Sequence, residues 1–498
     1  MKNFRILLIH EIHSQLKTFS FTVMILTTLV VGLFVTKVQV SSFKDRWTVY
    51  KEQQQQSQER LDNVHFFSEL EVDVYMPPIV LSVFAKGLDE SIGNKISVSA
   101  IKLPEPVITS QRGNAFNKIF SNMDISGVVK ILSIFIILMA ACPIALDREQ
   151  QIGKLIFSGS VGRLEYYLSK FVALMTVACI VTVVTFLIPV VWMWFDPQVA
   201  LPLSGTAPIL YMLFSTILYF SIFIFIGLAV SAIAAKISTA TLSGLMIWII
   251  LSYIYPFTVN SMIDRTVKVP SDRDVAEQIN RIDNDIFLEN ERFRRENRFT
   301  GTAASCSMSS SNNIIIKNTV ASRSFFEYTK KLNDFALPKW FNRINTVTEI
   351  KENQKKHLLR KKTLYDRFAL FLPDRIYQNL CEEAAGTDYH FREKQFVEAA
   401  KDYRSILMNY IQSKNGFGYA FFTQMPESEM LENYSDYTQD TKDRWCKEEN
   451  LETIASDVPQ FNTSRRSKSF MAWAGLLLLN IFAGGISPWI YNKYLSFK

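Results

Sequence analysis

About six apolar stretches, each roughly 18–25 residues long, alternate with two large polar insertions, and this layout constrains the fold more than any motif does. A helix rises about 1.5 Å per residue and the hydrocarbon core of a bilayer is about 30 Å thick, so runs of this length read as spanning helices. The candidates are Phe19–Val38, Gly127–Leu146, Phe171–Trp194, Ile209–Ile233, Ala240–Phe257 and Phe470–Tyr491. The average over 498 residues hides them, because polar insertions dilute the apolar blocks to 48% hydrophobic residues and a mean hydropathy of +0.09. The expected fold is mainly α: a polytopic membrane protein with six transmembrane helices and two extracytoplasmic, mostly helical insertions.

Positive charge sets the expected orientation. Lys2, Arg5 and Lys17 precede the first span; Arg148, Lys154, Arg163 and Lys170 lie between the second and third; Lys236 lies between the fourth and fifth; Lys493 and Lys498 follow the sixth. Such residues are enriched on the cytoplasmic side, which places both termini there. The predicted organisation is an amphipathic elbow helix (1–18), span one (19–38), a first outer insertion (39–126), span two (127–146), a cytoplasmic hairpin (147–165), spans three to five (166–257), a second outer domain (258–469), and span six with a cytoplasmic tail (470–498). TKVQVSSF, after the first apolar block, offers no small-residue cleavage site, so that block is expected to stay in the mature chain.

The insertions carry helical signals. Phe43, Trp47, Tyr50, Gln54, Ser57, Leu61 and Val64 step by fours and threes, which predicts that the first span continues into water as a helix. Pro77-Pro78 then predicts a break, followed by a β-like tail and a small mixed cap. In the second insertion, Val275, Ile279, Ile282 and Ile286 form one stripe, and Phe396, Ala400, Tyr403, Leu407 and Tyr410 another. GTAASCSMSSSNN between them reads as a flexible loop, and Gly386-Thr387-Asp388 as a helix break with Asp388 as the next N-cap. Of five cysteines, Cys142 and Cys179 fall in spans; among Cys306, Cys381 and Cys446, one of three pairings or none is open.

Several chemistries are excluded by what the chain lacks. No G-x-x-x-x-G-K-[ST] loop occurs, since Gly153-Lys154 has Arg148 where the first glycine belongs and Leu155 where Ser or Thr would ligate magnesium. No G-x-S-x-G elbow is present, and His10, His13, His65, His357 and His390 are scattered without ligand spacing. The expectation is no catalytic site and no metal site. The formal charge of +7 is spread over mixed-sign helices, not gathered with aromatics, so nucleic acid is not an expected partner. Apart from Lys37 and Lys130, near span ends where they can snorkel, the spans hold essentially no ionisable residue, which disfavours an ion-driven carrier.

The segment Asp147 to Arg163, DREQQIGKLIFSGSVGR, resembles the E-R-E-x-G-T-L-K-L-x-x-S-x-P-V-x-R hairpin of type-two ABC exporter permeases, including those of nitrous-oxide-reductase maturation and gliding motility. Asp147, Arg148 and Glu149 match its acidic start, Lys154, Leu155, Ile156, Phe157 and Ser158 its helix, and Val161 and Arg163 its end. Gln151, Ile152, Gly153, Ser160 and Ser169 depart from the pattern. The resemblance implies a coupling helix seated on a separate ABC ATPase subunit, with an acidic start favouring the helix N-terminus and Leu155, Ile156 and Phe157 filling the partner's groove. It implies ATP and magnesium on that partner and no cofactor on this chain. Pro78-x-x-Leu81-Ser82-Val83-Phe84-x-x-Gly87-Leu88-Asp89 and Ala385-Gly386-Thr387-Asp388-Tyr389-x-Phe391 are similar to a bacterial branch with two large periplasmic insertions. That branch implies a second copy or a paralogous permease as partner in the inner membrane.

The reading is therefore the permease subunit of an ATP-driven exporter, its substrate and substrate-binding residues unassigned. The rival is a scaffold that transmits ATPase motion through the outer helices to a periplasmic protein, with nothing crossing the bilayer.

Overall fold

The computed structural model describes residues 2–61, 64, 67, 70–87, 95–100, 106–107, 123–158, 161–199, 205–300, 306–311, 314–319, 323–368, 372–388, 396–414 and 471–494. Helix α1 (Lys2–Leu16) ends in a turn at Thr18, whose hydroxyl accepts from Phe21 N. Helix α2 (Phe19–Leu61) follows without a break across the apolar block and the Gln-rich run, because Gln is a good helix former and Val35, Val38, Val40 and Phe43 are buried along its middle. The helix stops at Leu61, well before Pro77-Pro78, so the prolines sit between a strand and a short 3₁₀ turn, Val80–Val83, and do not end it.

Strands β1 (Glu71–Tyr75), β2 (Lys95–Ser99) and β3 (Pro106–Val107) form an antiparallel sheet in that order, with Val72 opposite Val98 and Val74 opposite Ile96. Helix α3 (Ile125–Ala141) starts at Asp124, whose Oδ1 accepts from Gly127 N at 2.8 Å. It is extended by α4 (Pro143–Glu149), with proline at the first position where no donor is lost. Next come α5 (Ile152–Ser158), α6 (Arg163–Phe195), α7 (Thr206–Ile233) and α8 (Ile237–Ile249), which passes through a π-helical turn at Ile250–Ile254 into α9 (Tyr255–Thr266). Among the described residues, five helical stretches are long and apolar enough to cross a membrane: Phe19–Leu61, Ile125–Glu149, Arg163–Phe195, Thr206–Ile233 and Ile237–Thr266. Helix α7 lies at the centre, packed by α3 and α6, and at Gly227 a Cβ would stand 2.5 Å from that of Ala140, so only glycine permits the helices this close.

Beyond the spans, α10 (Asp272–Glu296) opens with a Ser271/Asp274 capping box. Strands β4 (Cys306–Ser311) and β5 (Ile314–Thr319) pair antiparallel, so part of the segment read as a flexible loop is a hairpin strand. Helix α11 (Arg323–Phe368) returns against α10: Lys331 donates to Asn297, Lys339 pairs with Glu289, Arg343 with Asp283, and Gln354 with Asp272. Helix α12 (Pro373–Ala385) ends at Gly386, whose φ of 71° is the left-handed C-cap that the glycine predicted. The next described helix is α13 (Phe396–Ser413), and residues 389–395, on which the reading of Asp388 as an N-cap depends, lie outside the described residues. The last is α14 (Met471–Tyr494), packed along α7 and α12.

The two insertions do not fold apart. Phe396, Ala400, Tyr403, Leu407 and Ile411 of α13 share one core with Val72, Val74, Ile96 and Val98 of the sheet, and Arg404 donates to the Ala100 carbonyl at 2.9 Å. Under the sheet, Asp73 is buried but satisfied by Arg60, by Lys95 at 2.9 Å and by Ser97 at 2.6 Å. Cys381 is a free, buried thiol; the side chains of Cys306 and Cys446 lie outside the described residues.

Candidate functional site

The Asp147–Arg163 segment divides into an anchor and an exposed helix. Asp147, Arg148 and Glu149 are the C-terminal end of α4, not the N-terminus of the next helix as the acidic start suggested. The chain turns at Gln151, which takes a φ of 57°, and α5 then carries Lys154 to Ser158. Residues in this left-handed region carry a steric cost, so the surrounding contacts hold the turn.

Those contacts are polar and mostly buried. Asp147 accepts from Tyr166 at 2.5 Å and pairs with Lys170 at 2.7 Å, while Lys170 also donates to Glu11 of the elbow helix at 2.8 Å. Only 2% of the Lys170 side chain is exposed, so two carboxylates neutralise one cation out of reach of water. The ammonium lies 4.9 Å from the centre of the Tyr166 ring, and that ring stacks on Tyr491 of α14. Arg148 donates to the carbonyls of Ala234 at 2.8 Å and Ala232 at 2.7 Å, satisfying the C-terminal end of α7, where the helix dipole favours a cation. Glu149 accepts from Ile237 N at 3.0 Å, at the start of α8. Together these residues fasten the hairpin to α1, α6, α7 and α8.

Helix α5 presents the opposite character. Leu155 is 75% exposed and Ile152 and Ser158 lie on the same edge, three residues apart on either side. Ile156 and Phe157 pack inward on the main core, with the Phe157 ring 5.3 Å from that of Tyr166. Of Leu155, Ile156 and Phe157, Leu155 alone is turned to solvent. Arg163 is exposed at the first position of α6, whose start is closed by Glu165 reaching back to Gly162 N. The side chain of Lys154 lies outside the described residues.

At the far ends of the spans, the two similarity segments meet. Thr387 donates to the Ala85 carbonyl at 2.9 Å, and a Cβ at Gly87, whose φ is 51°, would stand 2.6 Å from the Thr387 carbonyl oxygen. Helix α12 beside them lies against the N-terminal half of α7: Tyr219 donates to Asp374 at 2.7 Å, Thr216 bonds Tyr377 at 3.0 Å, and the Tyr219 and Tyr377 rings stack at 4.6 Å. Lys130 of α3 donates to Gln378 at 2.7 Å. Leu88, Asp89, Tyr389 and Phe391 of those segments lie outside the described residues.

Sequence reasoning missed Glu11, Tyr166 and Tyr491. Glu11 sat between His10 and His13 on a helix read as an amphipathic elbow; its signal was that a carboxylate on such a helix beside apolar spans needs a cation, and Lys170 heads an apolar run.

Among the described residues, no group of three His, Cys, Asp or Glu side chains is arranged to hold a metal ion. A model of the ABC-2 family transporter proteins matches residues 20–400. No curated protein and no solved structure matches the chain. A match over most of the length, on a helical bundle with five membrane-spanning candidates, places this chain in the ABC-2 family of transporter proteins.

Proposed function

We propose that the chain is the permease subunit of an ATP-driven type-two ABC exporter in a bacterial inner membrane, with both termini cytoplasmic and α14 as a sixth span. The observation that carries this reading is the contrast within the hairpin: an exposed apolar edge at Leu155 on a base fixed by buried ion pairs. A separate ABC ATPase, holding ATP and magnesium, would receive α5 in a groove, and its closure would push the base as one body. Because Asp147, Arg148 and Glu149 tie that base to four helices, the push reaches the spans, and a ligand or nucleotide shifts such an equilibrium only through contacts that differ between its states. Dimerisation with a second copy or a paralogue completes the unit. Capture of an ABC ATPase by the tagged chain from its native membrane in mild detergent, lost on Leu155→Asp, tests the proposal. Retention of the ATPase by that variant would overturn it.

The scaffold reading draws support from α12, which seats the long α10–α11 hairpin on the outer part of α7 through Asp374 and Tyr377. Movement of the spans would be carried outward along that hairpin. ATP hydrolysis stimulated only by a periplasmic protein, and not by a small amphiphile, would favour the scaffold.

A further inference from the structure

The fifth apolar stretch carries a joint whose cause is one residue. Pro256 has no N–H to offer the carbonyl of Ser252 four residues back, and its ring crowds that carbonyl. The helix opens one turn to the π form over Ile250–Ile254, where Tyr255 N donates to the Ile250 carbonyl five residues back. Such a turn interrupts the regular ladder and bends a helix. The Ser252 hydroxyl is enclosed without a hydrogen-bond partner, so it adds no bond that would stiffen the turn.

The two arms of the joint are held by different neighbours. Helix α8 packs on α3 at Gly244, where a Cβ would stand 3.3 Å from that of Ala141, and at buried Trp248, whose Nε1 donates to Ser133 at 2.8 Å. Its start is fixed by Glu149. Helix α9 is held instead by the base of α11, residues 354–368. Asp264 pairs with Lys361, the Tyr255 hydroxyl donates to the Phe368 carbonyl at 3.3 Å, and just past α9 Gln354 donates to the Pro270 carbonyl at 3.1 Å. Between the arms no residue of the π turn is buried, so no core packing sets their angle. The Tyr253 ring meets that of Trp248 at 5.5 Å, a contact on the α8 side that does not cross to α9.

Room for movement lies beside the joint. A cleft of about 530 Å³ separates Pro256, Phe257 and Asn260 of α9 from Arg375 of α12. Helix α12 stays with the bundle, because Asp374 and Tyr377 bond Tyr219 and Thr216 of α7. Across the cleft the Arg375 guanidinium faces the Tyr365 ring of α11 at 5.7 Å, close to the limit of about 6 Å for such contacts. A change in the cleft's width therefore displaces α9 and the base of α11 against a fixed wall.

We propose that the π turn at Ile250–Ile254 is a hinge about which α9 and the base of α11 swing relative to α8, opening and closing the cleft against α12. The inference goes beyond the coupling role of α5 and does not require it. A hinge is a property of this chain alone and is measured without an ATPase, so either reading can fail while the other stands.

The test uses the complete chain in detergent, with nitroxide labels on an unnatural keto amino acid at Leu242 of α8 and Leu359 of α11, both exposed, so that the five cysteines stay in place. Pulsed dipolar spectroscopy then reads the distances between them. The control pair, Leu242 and exposed Phe214 of α7, lies within the bundle. The pair that spans the joint should give a distribution at least ~2-fold broader than the control. Pro256→Ala returns the missing donor, so the turn can close as a regular α-helix and the distribution should narrow to that of the control. A distribution in the otherwise unaltered protein as narrow as the control would overturn the proposal, and that measurement decides alone if Pro256→Ala does not fold. A broad distribution that survives Pro256→Ala would also overturn it, because the motion would then lie outside the π turn. Amide hydrogen exchange reads the joint independently: residues 250–255 should exchange at least ~10-fold faster than those of α8, and equal protection would refute the hinge.

Discussion

Replacing Lys170 by Met should be among the most damaging single changes at the hairpin end of the bundle. The ammonium stands 2.8 Å from Glu11 and 2.7 Å from Asp147, with side-chain exposures of 2%, 9% and 12% for the three groups. Removing it leaves two carboxylates facing one another in a site closed to water, and the loss of one partner from a buried pair costs about 3–5 kcal/mol. Methionine matches the length of the lysine stem, so little of the effect is lost packing. The charge, not the shape, is being tested. Neutralising the acids as well, in a Lys170→Met, Glu11→Gln, Asp147→Asn variant, removes the uncompensated charges and should restore most of the stability, leaving a deficit of about 1–2 kcal/mol for altered hydrogen bonds. Thermal melting of the purified chain, followed by the fraction that remains monodisperse on size exclusion, reads both. The single variant should melt well below the triple variant. A triple variant that melts lower than the single one would refute the reasoning, since it would mean the network contributes through packing and hydrogen bonds alone. The same variants separate stability from coupling: the triple variant should fold yet show loosened attachment of the elbow helix, detected as faster proteolysis at residues 1–18.

Four further outcomes follow from the structure. Leu155→Asp should leave melting unchanged, because the side chain is 75% exposed, while capture of the ATPase falls at least ~10-fold, about 1.4 kcal/mol. Gly87→Val should destabilise the contact between the first insertion and the end of α12 by about 1–3 kcal/mol, since its φ is 51° and a Cβ would meet the Thr387 carbonyl oxygen at 2.6 Å; limited proteolysis should then cut the two insertions sooner. Cys381 is fully buried against Tyr377 and its thiol is pushed up to about 12, so maleimide at pH 7 should leave it unlabelled until the protein is denatured. Burial raises the Glu382 carboxyl above its usual 4.5, outweighing Arg375 and the hydrogen bond from Gln378. A raised carboxyl favours the folded state at pH below the unfolded value and loses that benefit as pH climbs through the folded one. Glu382→Gln should therefore raise the melting temperature relative to the unaltered protein at pH 7, with the gap closing below pH 4.5.

The helices long and apolar enough to cross a membrane were legible because their signal is one-dimensional. An apolar run of sufficient length satisfies its backbone within itself and needs no partner to be recognised. The same holds for α2, whose helical stripe continues past the apolar block, and for α10 and α13, whose apolar residues recur at helical spacing. The C-cap at Gly386 was legible too, since only glycine takes that φ cheaply. What the sequence could not convey depends on residues far apart in the chain. Lys170 and Glu11 are separated by 159 positions, and nothing local distinguishes that lysine from one that merely keeps positive charge inside. The sheet of the first insertion and helix α13 of the second share one core because each has an apolar face too small to bury alone. The strand at Cys306–Ser311 is polar and serine-rich, and only its pairing with Ile314–Thr319 makes it a strand. Local spacing thus settled which segments are helices and which of them are long and apolar enough to cross a membrane. Tertiary packing decided where the charges meet, because a buried ion pair or a cleft is defined by what the chain brings back from a distance.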